Sequence, residues 1–138
     1  MRLLLDTCVI IDWLTDADPF ERNVWDILND PGTKLYVSAE TARELIVSFN
    51  NKKLLSKYWK TAEEMLVAMK EEAMVDILPI SERTMFTYSR LTLNEAMDHR
   101  DPSDHVIISH AITEHLTLLS SDQKFAFYRN QGLDLLEY

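Results

Sequence analysis

Five short apolar segments divide this chain of 138 residues, at 2–5, 34–37, 75–78, 116–119 and 133–136. They are mostly continuous apolar runs without the alternation of a half-exposed strand, as expected for strands buried on both faces of a parallel sheet. The segments between them carry apolar residues at helical spacing. This order predicts an α/β fold, a single domain over residues 1–138, with a short central parallel sheet of about four to five strands flanked by helices.

The composition supports a folded, reduced protein. The apolar fraction is 46%, and only two Gly and four Pro are present, which favours helices and short connections over an all-β chain. A single cysteine, Cys8, excludes an internal disulfide and a cysteine zinc site. No apolar stretch approaches the ~20 residues of a membrane span, and no signal peptide is recognisable. We therefore expect a cytoplasmic protein that makes no use of a membrane.

Isolated acidic residues follow the predicted strands. Asp6 and Asp122 come just after two of them, Glu44 lies in the helix after a third, and Asp104 lies near the start of the helix that precedes strand 116–119. Ligands collect at the carboxyl ends of parallel strands, so we expect these acids to share one pocket. Several carboxylates in one pocket cannot all ionise unless a positive charge lies between them, and a divalent cation is the natural occupant.

Helix capping is the competing explanation for several of these acids. Asp101-Pro102 fits an N-cap followed by proline at the first helical position, so Asp101 is assigned mainly to capping. Glu40 is assigned to the helix dipole. The four histidines show no metal-binding spacing and are expected at the surface or in loops.

Several motifs in this order resemble the PIN domain, and in particular the VapC-like toxins of prokaryotic toxin–antitoxin pairs. They are Leu4-Leu5-Asp6-Thr7, the helix from Ser38 to Glu44, Leu78-Pro79-Ile80, His99-Arg100-Asp101-Pro102-Ser103-Asp104, and Leu118-Leu119-Ser120-Ser121-Asp122 with Phe125. The resemblance extends over nearly the whole chain. It departs from the family pattern at Arg43, Ser103 and His105, and in Lys52-Lys53-Leu54, where a Gly-Lys-Leu triplet is usual.

The resemblance implies a ribonuclease that depends on Mg²⁺ or Mn²⁺. The metal-binding and catalytic acids would be Asp6, Glu44, Asp104 and Asp122. Asp101, Thr7 and Ser120 would contact and orient these acids without binding the metal themselves. Hydrolysis by a metal-activated water would leave a 5′-phosphate on the product. The implied partners are an RNA substrate, a small antitoxin protein and a second copy of the chain in a homodimer.

The net charge of −9 opposes broad binding to nucleic acid. We therefore expect RNA to meet a local basic rim, formed by Lys52 and Lys53, with Lys57 and Lys60 nearby, and by Arg100 and Lys124 near the acids.

Three other functions are compatible with parts of the sequence to different degrees. A catalytically inactive PIN-like scaffold that binds RNA or protein remains open, although none of the expected acids is missing. A haloacid-dehalogenase-like phosphatase needs a second aspartate two residues after the first, where Cys8 stands. A receiver domain needs a phosphoacceptor aspartate after a middle strand, where Ser38 and Pro79 stand.

Overall fold

A computed structural model describes residues 1–52 and 54–138. The strands are β1 (Arg2–Leu5), β2 (Lys34–Ser38), β3 (Val75–Leu78), β4 (Thr117–Ser120) and β5 (Asp134–Glu137). The α-helices are α1 (Thr7–Thr15), α2 (Arg22–Leu28), α3 (Ala39–Asn50), α4 (Ala62–Glu71), α5 (Glu82–Arg90) and α6 (Pro102–Glu114). Two 3₁₀ helices cover Leu54–Lys57 and Gln123–Gln131.

The described strands form one five-stranded sheet in the order β3-β2-β1-β4-β5, and every neighbouring pair is parallel. The prediction of a central parallel sheet flanked by helices is confirmed. The chain winds outward from β1 through β2 to β3, and then returns to place β4 on the other side of β1. Ligand crevices of such sheets lie where this direction reverses, outside the carboxyl ends of the strands, here those of β1 and β4.

Helices cover both faces of the sheet, which explains the continuous apolar strands. Leu3 and Leu5 pack on one face in a cluster with Ile10 of α1, whereas Leu4 packs on the other face with Ile107 of α6. All of these side chains are fully buried, and each contributes about 1.5–3 kcal/mol through the apolar surface that it removes from water.

Side-chain caps fix where the helices begin. Asp6 has extended backbone and caps α1, accepting a hydrogen bond from the Thr7 amide. Asp101 caps α6 by accepting from the Ser103 amide, with Pro102 at the first helical position as expected.

Residues 54–73 carry apolar residues at helical spacing but do not form a single helix. A 3₁₀ turn over Leu54–Lys57 is followed by a break, and α4 begins only at Ala62, where the Thr61 hydroxyl accepts from the Glu64 amide. Apolar spacing cannot distinguish one helix from two short ones that pack on the same core.

The prediction that the histidines lie at the surface or in loops is wrong for His105 and His110, which are buried within α6, whereas His99 lies in the loop between α5 and α6. His99, His105 and His110 are 2% exposed or less, and only His115, at the left-handed C-cap of α6, is exposed. Each buried ring has a polar partner: His105 Nε2 donates to the His99 carbonyl (3.1 Å), and His110 Nδ1 lies 2.9 Å from Ser38 Oγ.

None of the helices within residues 1–52 and 54–138 is long and apolar enough to cross a membrane.

Candidate metal centre

Asp6 lies between the ends of β1 and β4. Its amide donates to the Leu119 carbonyl (3.0 Å), continuing the ladder between these strands. Its Oδ2 accepts a 2.8 Å hydrogen bond from the Ser120 hydroxyl and a 3.4 Å bond from Cys8 Sγ. Burial raises the pKa of Asp6 above its ordinary value, although the hydrogen bonds from Ser120 and the Thr7 amide act in the opposite direction.

Glu44 lies in the middle of α3 and turns toward the start of α1. The Thr7 hydroxyl donates a 2.7 Å hydrogen bond to Glu44 Oε1, so it accepts the 3.0 Å hydrogen bond from the Thr41 hydroxyl. Burial raises the pKa of Glu44, and the negative charges of Asp101 and Asp104 raise it further. A half-buried carboxylate without a cationic partner favours a bound cation.

Asp104 has the most perturbed carboxyl group of the site. Burial raises its pKa to about 7, and repulsion from Asp101, Asp6 and Asp122 adds to this effect. His99 Nε2 lies 2.9 Å from Asp104 Oδ2 and holds the carboxylate in place. Because burial lowers the pKa of His99, this histidine contributes little positive charge at neutral pH.

Asp122 completes a compact group of possible metal ligands. One ligand atom each from His99, Asp104 and Asp122 lies within 4.8 Å of the other two, the only such group found among the described residues. Asp122 Oδ1 also accepts from the Lys124 amide, and the Asp122 amide donates to Ser120 Oγ. Asp6 and Glu44 lie outside this group, but their interactions with Asp122 and Asp104 place all four acids in one electrostatic unit.

The electrostatics of this unit fit a divalent cation. Within the described part of the chain, no lysine or arginine forms an ion pair with any of the four acids. Every resolved pKa shift among them is upward, so ionisation is unfavourable without an added positive charge. Carboxylate oxygens are the ligands that Mg²⁺ and Mn²⁺ prefer, so these ions suit the four acids better than they suit the imidazole of His99.

A second polar cluster joins α3 to α6 beside the acids. Ser103 Oγ donates to Glu40 Oε1 (2.7 Å) and accepts from Arg43 Nη2 (3.0 Å), while Arg43 also pairs with Glu40. Glu40 thus has a specific partner on another helix, beyond the helix-dipole role assigned from sequence. Two of the departures from the family pattern, Arg43 and Ser103, contact each other.

The residues expected to support the site have distinct positions. Thr7 contacts Glu44 and Ser120 contacts Asp6, whereas Asp101 is exposed and caps α6. His99 was not predicted, although it stands at the head of the His-Arg-Asp-Pro segment. The sequence did not reveal that His99 is buried. Its ring stacks on Phe125 with centroids 5.4 Å apart, and its Nδ1 lies 2.9 Å from the Tyr128 hydroxyl.

The expected basic residues do not form one rim. The positive charge of Lys124 acts on both Asp104 and His99, so this lysine lies near the acids. Arg100 is 85% exposed and pairs with Asp98. Lys52 lies beyond the end of α3 and lines a separate groove, and Lys53 lies outside the described residues.

Comparison with known proteins identifies the family. The family model of the PIN domain matches residues 3–131, so the chain belongs to the PIN domain family. A comparison with curated proteins found no significant match.

Solved structures with the same fold come from toxin–antitoxin complexes. VapBC-1 from nontypeable Haemophilus influenzae is 21% identical with a TM-score of 0.73, and the alignment covers 99% of this chain and 98% of that one. VapBC2 from Rickettsia felis, bound to a promoter DNA fragment, is 21% identical with a TM-score of 0.71 and the same coverage. VapBC-5 from Mycobacterium tuberculosis, of the VapBC family of toxin–antitoxin systems, is 17% identical with a TM-score of 0.64 and again covers 99% and 98%.

Proposed function

We propose that this PIN domain is a metal-dependent endoribonuclease and the toxin of a VapBC-type toxin–antitoxin pair, with residues 1–138 acting as one nuclease domain in the cytoplasm. The observation that carries the proposal is the electrostatic interaction among four acids near the carboxyl ends of β1 and β4, where burial and mutual repulsion raise the pKa of Asp104 to about 7. Carboxylates with a perturbed pKa and no lysine or arginine to balance their negative charge are characteristic of functional sites.

Asp6, Glu44, Asp104 and Asp122 would hold one or two Mg²⁺ or Mn²⁺ ions. A divalent cation held there would supply Lewis-acid chemistry, lowering the pKa of a bound water and neutralising negative charge on the phosphate oxygens.

The chain's own residues orient the acids for this work. Ser120 holds Oδ2 of Asp6 and Thr7 holds Oε1 of Glu44, which fixes the direction in which the remaining oxygen lone pairs point. His99 does the same for Asp104, and its other nitrogen is held by the buried Tyr128 hydroxyl. Such supporting hydrogen bonds typically account for 10–100-fold in metal affinity or activity.

Lys124 is the positive charge best placed to meet the substrate phosphate. It acts electrostatically on Asp104 and His99 yet forms no ion pair with a described acid. Arg100, one position before Asp101, would contact the RNA backbone only after leaving Asp98.

We infer one protein partner from the structural relatives, which are VapBC toxin–antitoxin proteins, and propose a second from the resemblance to VapC-like toxins. One is a small antitoxin that covers the acids, and the other is a second copy of this chain. Co-expression with the product of a neighbouring small reading frame, followed by light scattering of the purified complex, tests both.

The decisive experiment measures cleavage of structured RNAs by the wild type and by Asp6→Asn, with and without Mg²⁺ or Mn²⁺. Asp26→Asn is the matched control, because Asp26 is an exposed acid on α2. We expect cleavage by the wild type and by Asp26→Asn only with metal, 5′-phosphate ends on the products, and a loss of cleavage for Asp6→Asn greater than the roughly 10–100-fold typical of a residue that only supports a metal ligand.

Equal cleavage by wild type and Asp6→Asn contradicts the proposal. A wild type that binds Mn²⁺ in calorimetry but cleaves no RNA supports the alternative, a PIN-like scaffold that binds RNA or protein without cutting.

A further inference from the structure

A basic and aromatic groove lies beyond the end of α3, apart from the acidic centre. Its volume is about 570 Å³. Its aromatic and basic lining residues are Phe49, Lys52, Lys57, Tyr58, Trp59 and Lys60. We propose that this groove binds an unpaired stretch of the RNA whose cleavage is proposed above, and the inference rests on that function for the identity of its ligand.

The charge of the groove is opposite to that of the protein. Although the chain carries a net charge of −9, no described acid lines the groove, and three exposed lysines converge there. Within residues 1–52 and 54–138, none of these lysines forms an ion pair with an acid. A local concentration of unpaired cations on an acidic protein indicates a polyanionic ligand.

The aromatic side chains supply a stacking surface. Tyr58 is 51% exposed, and its ring lies 5.7 Å from that of Trp59. The Tyr58 hydroxyl donates to the Thr15 carbonyl at 3.2 Å, and Trp59 packs against the core, so both rings are anchored. Anchored aromatic faces beside lysines are the arrangement with which proteins bind single-stranded nucleic acid, whose unstacked bases offer their faces to the rings.

Lys52 occupies a position that favours glycine. Its φ of 55° is in the left-handed region, directly after the C-cap of α3, where a side chain costs conformational energy and glycine does not. The chain therefore keeps a lysine where the backbone alone would prefer a residue without a side chain. Stability does not explain this choice, whereas a phosphate contact does.

One of the four acids, Glu44, lies on the helix that leads to the groove. Phe49 follows Glu44 on α3 by five residues, which is about 7.5 Å along the helix axis and about 140° around it. An RNA that contacts both the carboxylates and the groove must therefore pass around α3.

The test measures binding of an unstructured fluorescent oligoribonucleotide by anisotropy in EDTA, over a series of salt concentrations. Lys52→Glu/Lys57→Glu is compared with Lys34→Glu/Lys70→Glu, which changes the charge equally at exposed lysines outside the groove. We expect weaker binding only for the groove pair, with a slope of log affinity against log salt that is shallower by about 1.4, or 0.7 for each lost phosphate contact.

Three single variants separate RNA binding from folding. Tyr58→Ala is expected to bind RNA about 5- to 150-fold more weakly, whereas Tyr58→Phe, which keeps the ring, retains affinity. Lys52→Gly is expected to raise the melting temperature and yet weaken RNA binding, a combination that loss of a structural role would not produce.

The outcomes distinguish this inference from the proposed activity. If the wild type fails to cleave RNA but the groove variants lose affinity and salt slope, the nuclease proposal fails and the groove stands as an RNA site. If affinity and slope are the same for both lysine pairs, the groove proposal is overturned and a protein segment becomes the occupant to seek, whether or not the wild type cleaves.

Discussion

The Thr7 hydroxyl donates a 2.7 Å hydrogen bond to Oε1 of Glu44, joining the first turn of α1 to the middle of α3. These residues are 37 positions apart, and the bond fixes the direction of a carboxylate that no lysine or arginine among the described residues holds by an ion pair.

Replacing Thr7 by valine tests whether this bond prepares Glu44 for metal. Valine keeps the shape of threonine but cannot donate, so we expect Mn²⁺ affinity in calorimetry to fall about 10- to 100-fold. Thr15→Val is the control, because the Thr15 hydroxyl donates only within α1, to the Ile11 carbonyl. Unchanged affinity in Thr7→Val would show that Glu44 needs no support or binds no metal.

Replacing Asp104 by asparagine tests the repulsion within the acidic centre. Burial and neighbouring acids raise the pKa of Asp104 to about 7 from an ordinary value of 3.8, so its ionised form destabilises the metal-free fold. In EDTA at pH 8, we expect Asp104→Asn to melt at a higher temperature than the wild type. With MnCl₂ the difference between the two melting temperatures should become smaller or change sign, because the bound ion stabilises the wild type more than the variant.

The control for this experiment is Asp26→Asn, which alters an exposed acid on α2. A wild type whose melting temperature does not respond to Mn²⁺ would contradict the assignment of a metal centre.

Replacing Ser103 by alanine tests the link between α3 and α6. The Ser103 hydroxyl donates to Glu40 and accepts from Arg43, and these helices carry Glu44 and Asp104. We expect a loss of about 1–3 kcal/mol in the free energy of unfolding, measured in urea, together with weaker Mn²⁺ binding.

The control is Ser89→Ala, since the exposed Ser89 hydroxyl donates only to the Phe86 carbonyl within α5. A destabilised Ser103→Ala that binds Mn²⁺ as tightly as the wild type would limit the link to a structural role.

The buried His110 predicts loss of stability in acid. Burial lowers its pKa below the ordinary 6.5, although the Glu114 charge and the Pro79 carbonyl act in the opposite direction. Below about pH 6.5 the unfolded chain binds a proton that the folded chain does not, so the free energy of unfolding falls as the pH falls toward the folded pKa.

His110→Asn should therefore flatten the dependence of urea midpoints on pH between about 6.5 and 5, whatever its effect at pH 8. His115→Gln, at an exposed position, should leave the dependence unchanged. An equal slope in all three proteins would remove His110 as a contributor.

Much of the fold followed from local pattern. The apolar runs predicted strands because a strand that is covered by helices on both faces has no polar residues facing solvent. The capping residues Ser38 and Asp101 indicated where α3 and α6 begin. The break between Leu54–Lys57 and α4 did not follow, since both pieces present apolar residues to the same core.

The sequence by itself determined the α/β class, the family and a short list of acids, because these depend on residue type and spacing. Only the tertiary structure decided how those acids meet. The sheet order brings β4 beside β1, so that Ser120 holds Asp6 from 114 positions away. The same packing buries His99 against Asp104. Burial and long-range contacts set these pKa values and hydrogen bonds, and neither burial nor a long-range contact can be predicted from a local segment of the sequence.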